Sequence, residues 1–210
     1  MNIQKIFCLA FFLGFGQLVA EVMESNETWR PMSFTPEIET GSVFDFSGMR
    51  EAGPAGKDGF VVVTPNGTLA AQGRPEKRLR FFGANVCFSV NFMSHEESDA
   101  LAERFLRMGY NSIRIHHYDA GLVGENDRGS NALNSYAIRP EPLERLDYFY
   151  AALRKRGMYI TTDFFTYRPF LAAEVPEYGK PFRMEVKALI PLYDSAIESW
   201  KKFVSGFLDH

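Results

Sequence analysis

RFFGANVCFSVNFMSHEESDALAERFLRMGYNSIRIHHYD, running from Arg80 to Asp119, reads as strand, helix, strand and decides the fold. Along the first strand, Phe81 to Cys87, side chains alternate: Phe82, Ala84 and Val86 share one face, Gly83, Asn85 and Cys87 the other. Ser94 followed three residues later by Glu97 is a capping box, so a helix starts there. Ala100, Leu101, Phe105 and Met108 recur at helical steps and predict its apolar stripe, and Gly109 supplies the stop. In the second strand, Ser112 to His117, Ile113 and Ile115 face one way and Arg114 and His116 the other. If the isoleucines pack under helices, Arg114 and His116 point toward the sheet or barrel centre near the strand's carboxyl end, where α/β folds bind ligands.

Downstream the same alternation continues. A Gly-, Asn- and Asp-rich loop, Tyr118 to Pro140, is long enough to suggest a binding role. Pro142 suits the first turn of a second helix, with Leu143, Leu146, Phe149, Ala152 and Leu153 on one face and Gly157 as its stop. A third strand is expected from Met158 to Phe165, with Thr161, Asp163 and Phe165 on one face. After a second long loop, Thr166 to Tyr193, Asp194 or Ser195 caps a third helix with Ile197, Trp200, Phe203, Val204, Phe207 and Leu208 as its buried stripe. A crossover helix normally leads to another parallel strand, so the chain reads as the amino-terminal part of a larger α/β domain, apparently truncated.

Upstream, Gly59 to Val63 and Thr68 to Ala71 flank Pro65-Asn66-Gly67 and predict a β-hairpin. Residues 21–58 are an irregular lead-in containing Pro31, Pro36 and Pro54. Met1 to Ala20 has the cation Lys5, the apolar run Ile6 to Phe15 and a small residue at Ala20, the order of a signal peptide. Gly14, Gly16 and Gln17 interrupt the run that a spanning helix would need. The expected product is secreted or periplasmic, without a membrane segment after cleavage. It keeps Cys87 alone, so no internal disulfide forms, and that thiol reads as a small buried filler.

With 46% hydrophobic residues, 15% aromatic residues and a formal charge of -3, the composition is that of a globular protein and argues against nucleic acid as a partner. The densest cationic run, Arg154-Lys155-Arg156, falls in the last turn of a helix, where cations complement the helix dipole. His116, His117 and Asp119 raise a metal reading, but adjacent strand residues point to opposite faces, so both imidazoles reach one ion only if the strand breaks at His117. No cofactor is implied.

The runs GANVCFS (83–89), SHEESDALAERFLRMGYNSIRIHHYDA (94–120) and LERLDYFYAALRKRGMYITTDFF (143–165) resemble the opening third of the cellulase-like glycoside hydrolase barrels of family 5 and their clan, over about residues 59 to 210. The resemblance implies the first three β/α units of a (β/α)8 TIM-type barrel preceded by a β-hairpin. It implies that Arg114 supports a nucleophilic carboxylate, and that the acid/base and nucleophile lie on later strands that this chain lacks. Where the family commonly has a sugar-lining histidine at the end of strand three, this chain has Phe165.

Asn85, His116, His117, Asp119, Asp163, Phe165 and Tyr167 are then the candidate carbohydrate-contacting residues, with Arg114 in a supporting catalytic role. Asp119 and Asp163 are expected to position hydroxyls or pair with Arg114 rather than to act as the two catalytic carboxyl groups. The resulting expectation is a secreted glycoside hydrolase acting on a polysaccharide or oligosaccharide. The alternatives are a non-catalytic carbohydrate-binding remnant and a metal-dependent hydrolase using His116 and Asp119.

Overall fold

Valine, isoleucine and alanine at alternate positions make three short segments pair side by side as a parallel sheet: β4 (Gly83–Cys87), β5 (Ser112–His116) and β6 (Tyr159–Thr162), in that order. They follow an antiparallel sheet of β1 (Val61–Val63), β2 (Leu69–Ala71) and β3 (Arg74–Arg78). The helices are α1 (His95–Arg107), α2 (Asp119–Val123), α3 (Pro140–Lys155), α4 (Val186–Leu189) and α5 (Asp194–Leu208). The structure, a computed structural model, describes residues 26–29, 37–49, 53–124 and 134–210, so the expected leader and part of the first long loop lie outside the described residues. The chain divides at Pro36/Glu37, and all these elements belong to the second unit; residues 26–29 of the first form a turn in which Asn26 Oδ1 accepts from the backbone of Thr28 and Trp29. Among the described residues no helix is long and apolar enough to cross a membrane.

Register places Ala84 beside Ile113 beside Ile160, and Val86 beside Ile115 beside Thr162. Helices α1 and α3 cover this face, and Ile113, Ile115, Leu146, Phe149 and Leu153 are fully buried in the resulting core. The other face carries Asn85, Arg114 and Thr161 in one row, all exposed. At the start of β4 a Cβ at Gly83 would lie 1.6 Å from the Ser112 carbonyl oxygen. Only glycine permits that approach.

The expected capping box of α1 is present: Ser94 Oγ accepts from Glu97 N at 3.2 Å, and Glu97 Oε2 accepts from Ser94 N at 2.9 Å. Gly109, with φ 79°, ends the turn after it. Of its expected stripe, Phe105 is in the core and Leu101 and Met108 pack against it, while Ala100 is exposed; Ser98 and Ala102 are buried as well. Beside this stripe Tyr148 and Arg156 hold Asp99 toward α3, at 2.8 Å each, and Arg156 adds Glu103 at 3.1 Å. Arg156 thus joins two helices, a role beyond complementing the dipole of its own. In α5 the buried residues are Ala196, Ser199 and Phe203, while Leu208 is exposed and neither Asp194 nor Ser195 caps the helix. Ser195 Oγ donates to Glu177 instead, at 2.6 Å.

The hairpin forms as expected, with Val63 opposite Leu69 and Gly67 at φ 77°. It is extended by β3, whose sequence RPEKR shows neither apolar alternation nor β-branched residues. That pattern is compatible with an edge strand, which pairs on one side only and tolerates proline and charge. The third expected strand is shorter than read, ending at Thr162, so Asp163 follows it directly and Phe165 lies in the bend beyond. The second long loop is also not structureless. Phe170, Val175, Phe182, Val186, Ile190 and Ala196 make a second small core, and Phe170 and Phe182 stack at 4.6 Å and exchange both backbone hydrogen bonds.

Candidate functional site

Strands β4 and β5 both end in a reversal of the backbone. Phe88 and His117, the residues just past them, have φ of 56° and 49°, a conformation that costs about 1–3 kcal/mol in a non-glycine residue and concentrates at functional sites. Their rings stack at 4.8 Å with an interplanar angle of 14°. Tyr167 meets both edge-on, at 6.2 Å from Phe88 and 5.8 Å from His117, and the Arg183 guanidinium lies 4.8 Å over the Tyr167 ring. The carboxyl end of the sheet therefore carries an aromatic array. A cleft of about 290 Å³ opens beside it, between Phe88, His117 and the start of α3 at Arg139, Glu141 and Arg145.

On the open face of the sheet, directly below this array, Asp163 gathers two side chains. Its Oδ2 lies 2.6 Å from an Arg114 terminal nitrogen and 2.5 Å from His116 Nδ1. Arg114 remains half exposed at 49%, whereas His116 is almost buried at 11% and its carbonyl accepts from the fully buried Asn91 at 3.0 Å. The parity argument thus holds for the backbone: Arg114 and His116 lie opposite the isoleucines. Asn85 is in register with Arg114 and donates to Cys87 Sγ at 3.3 Å, on the same open face. Cys87 is therefore half-buried at the site rather than a core filler.

Asp119 accepts from Thr166 Oγ1 at 2.5 Å and from the backbone N–H groups of Tyr167 and Arg168 at 2.8 Å each, and so shapes the loop that follows β6. Phe165, expected to face inward, lies beyond the strand and packs edge-on against Trp200 at 6.3 Å. Of the candidate contact residues His117 alone lines the cleft; Asn85, Arg114, His116 and Asp163 lie on the open face of the sheet, and Tyr167 packs edge-on against His117.

The strand break that a metal reading requires is present at His117, and the His116 and His117 rings lie 3.8 Å apart. The donor set still does not converge, since Asp163 occupies His116 Nδ1 and the loop occupies Asp119. No group of three metal-ligating side chains comes together among the described residues. His117 Nδ1 is buried without a partner, and burial first, then the neighbouring His116, holds the His117 pKa below its ordinary value. It stays neutral at the pH where an exposed histidine begins to charge.

What holds Tyr167 at the mouth was not legible beforehand. The next residue, Arg168, is 2% exposed, with Phe170 stacked under its guanidinium at 4.0 Å. Burial pulls its pKa down to about 10, against the opposing attraction of Glu174 and Asp119. Ser135 and Ser199 each accept from Arg168, at 2.5 and 3.1 Å, and each donate to Glu174, at 2.7 and 2.9 Å. The two hydroxyls relay a cation to a carboxylate 3.8 Å away. Asp119 on one side and this buried knot on the other fix residues 166–168, and Tyr167 is left facing the array.

Compared with known proteins, the chain matches no family model, no curated protein and no solved structure.

Proposed function

We propose that the chain forms the amino-terminal β/α units of a glycoside hydrolase-like barrel and that the carboxyl end of its parallel strands binds a neutral, β-linked glycan. The observation that carries this reading is the convergence of Arg114, His116 and Asp163 with the Phe88, His117 and Tyr167 rings at one strand end. Sugar rings present an apolar C–H face and a rim of hydroxyls, so flat aromatic faces beside fixed donors and acceptors suit them. The resemblance of residues 83–89, 94–120 and 143–165 to the opening of family 5 barrels supports the same reading.

Within that reading Asp163 is a positioning group, because one oxygen already accepts from two partners. Asp119 is fully engaged by the loop. The acid/base and the nucleophile of glycoside hydrolysis are therefore assigned to further strands of the barrel, with Arg114 supporting the nucleophile. A binding-only role would use the same mouth without turnover.

The test is a titration of the full chain with neutral β-gluco- and β-manno-oligosaccharides by calorimetry. Tyr167→Ala should weaken binding roughly tenfold, the upper end of what an aromatic contact contributes. Equal affinity in the variant, or no binding across the panel, would reject the proposal.

A further inference from the structure

Three rings hold that of His117: Phe88 stacks on it at 4.8 Å, Tyr167 meets it edge-on at 5.8 Å and His116 does so at 3.8 Å. Its Nδ1 is buried and has no hydrogen-bond partner. A neutral imidazole with its proton on Nε2 leaves Nδ1 an acceptor only. A second proton makes Nδ1 a charged donor with nothing there to receive it. Burial of such a group is costly, because the water it gives up is not replaced.

The charges around the ring do little to offset that cost. Arg114 and His116 on β5 and Lys187 in α4 all disfavour a cation at His117. Of the carboxylates close by, Asp163 is taken by Arg114 and His116, at 2.6 and 2.5 Å. Asp119 does attract a charge on His117, but its oxygens already accept from Thr166 Oγ1 and from the N–H groups of Tyr167 and Arg168. Across the cleft, at the start of α3, Glu141 pairs with Arg145 at 3.0 Å and Arg139 adds another cation.

We infer that the array of Phe88, His117 and Tyr167 is an acid-operated latch at the carboxyl end of the sheet, in which a proton on His117 drives its ring out of the stack. The displaced cation competes for Asp119, and each hydrogen bond taken there loosens the backbone that presents Tyr167. Phe88 and His117 also carry strained positive φ values beside the same stack, so its loss removes a contact that offsets the strain. Burial first, and then His116, hold the His117 pKa below its ordinary value, which sets the direction. A histidine depressed in this way contributes stability that is full above about pH 6.5, the unfolded value, and is lost as the pH falls through the lower folded value. The latch is closed at neutral pH and opens in acid, whatever the mouth binds.

The experiment is NMR of the full chain, without ligand, titrated from neutral to acid pH. Single substitutions at the four histidines assign the imidazole signals. The His117 ring should titrate below the value of an exposed histidine, and the ring and amide signals of Phe88 and Tyr167 should shift with the same midpoint. Ile113 and Ile115, in the core under the sheet, should keep their folded signals through that transition. In His117→Asn, which tolerates a positive φ and does not titrate, the shifts at Phe88 and Tyr167 should disappear. The latch is overturned if His117 titrates at or above the exposed value, or titrates without moving Phe88 and Tyr167. It is equally overturned if Ile113 and Ile115 unfold at the same midpoint, or if folded His117→Asn keeps the transition.

Discussion

Arg168→Met should lose about 3–5 kcal/mol of stability, the usual consequence of removing one partner from a buried ion pair. The variant leaves Glu174, whose side chain is 5% exposed, without its cation, and leaves Ser135 and Ser199 without their donor. For a domain of this size each kcal/mol moves the melting temperature by about 2–4 °C, so a fall of about 6–20 °C is expected. The double variant Arg168→Met/Glu174→Met should recover part of the loss, because it removes the orphaned charge together with its partner. Chemical denaturation of both variants reads this directly. A single variant within about 0.5 kcal/mol of the parent would mean that the knot contributes nothing to the fold.

The second large effect concerns turnover. If the proposed glycoside hydrolase reading holds, Arg114→Lys should lower kcat about 10²-fold or more, the scale on which a preorganised electrostatic group is felt. Lysine keeps the charge but loses the planar fork that orients a carboxylate. The same residue has an evident structural partner in Asp163 at 2.6 Å, so a purely structural role makes a different prediction. Both side chains are partly exposed, at 49% and 31%, and solvent screening limits what their pairing contributes to stability. Kinetics on β-glucan and β-mannan should therefore fall while the melting temperature changes by only a few degrees. Lost stability with unchanged turnover of the folded fraction would reject the catalytic role.

Local rules carried the sequence reading where one short stretch determined the outcome. The Ser94/Glu97 capping box, the alternation of Ile113 and Ile115 with Arg114, and the glycine stop at Gly109 all depend on neighbours within a few residues. The polar side of α1 does not. Tyr148 and Arg156 draw Asp99 toward another helix, and no periodicity in residues 95–107 records that. The charged strand β3 was equally silent, because an edge strand needs no apolar alternation.

At the site, residue type and parity placed Arg114, His116 and Asp163 on one side of the sheet, and the structure draws them together there. The backbone reversals at Phe88 and His117 left no glycine or turn motif to mark them. Arg168 lies in the second long loop, Thr166 to Tyr193, where no local pattern marks it as buried. Its burial follows from Ser135, Glu174 and Ser199, which lie far from it in sequence and meet it only in the folded chain. Asp119 shows what sequence position does not convey: it lies just past a strand, and three donors from residues 166–168, distant in sequence, meet it in the folded chain.

The most direct measurement is amide NMR of the full chain titrated with a neutral β-linked tetrasaccharide, glucan or mannan. A sugar site at the carboxyl ends of the strands predicts shifts that saturate together at Cys87, Phe88, His116, His117, Asp163 and Tyr167. Shifts confined to other parts of the chain, or none with either tetrasaccharide, would contradict it.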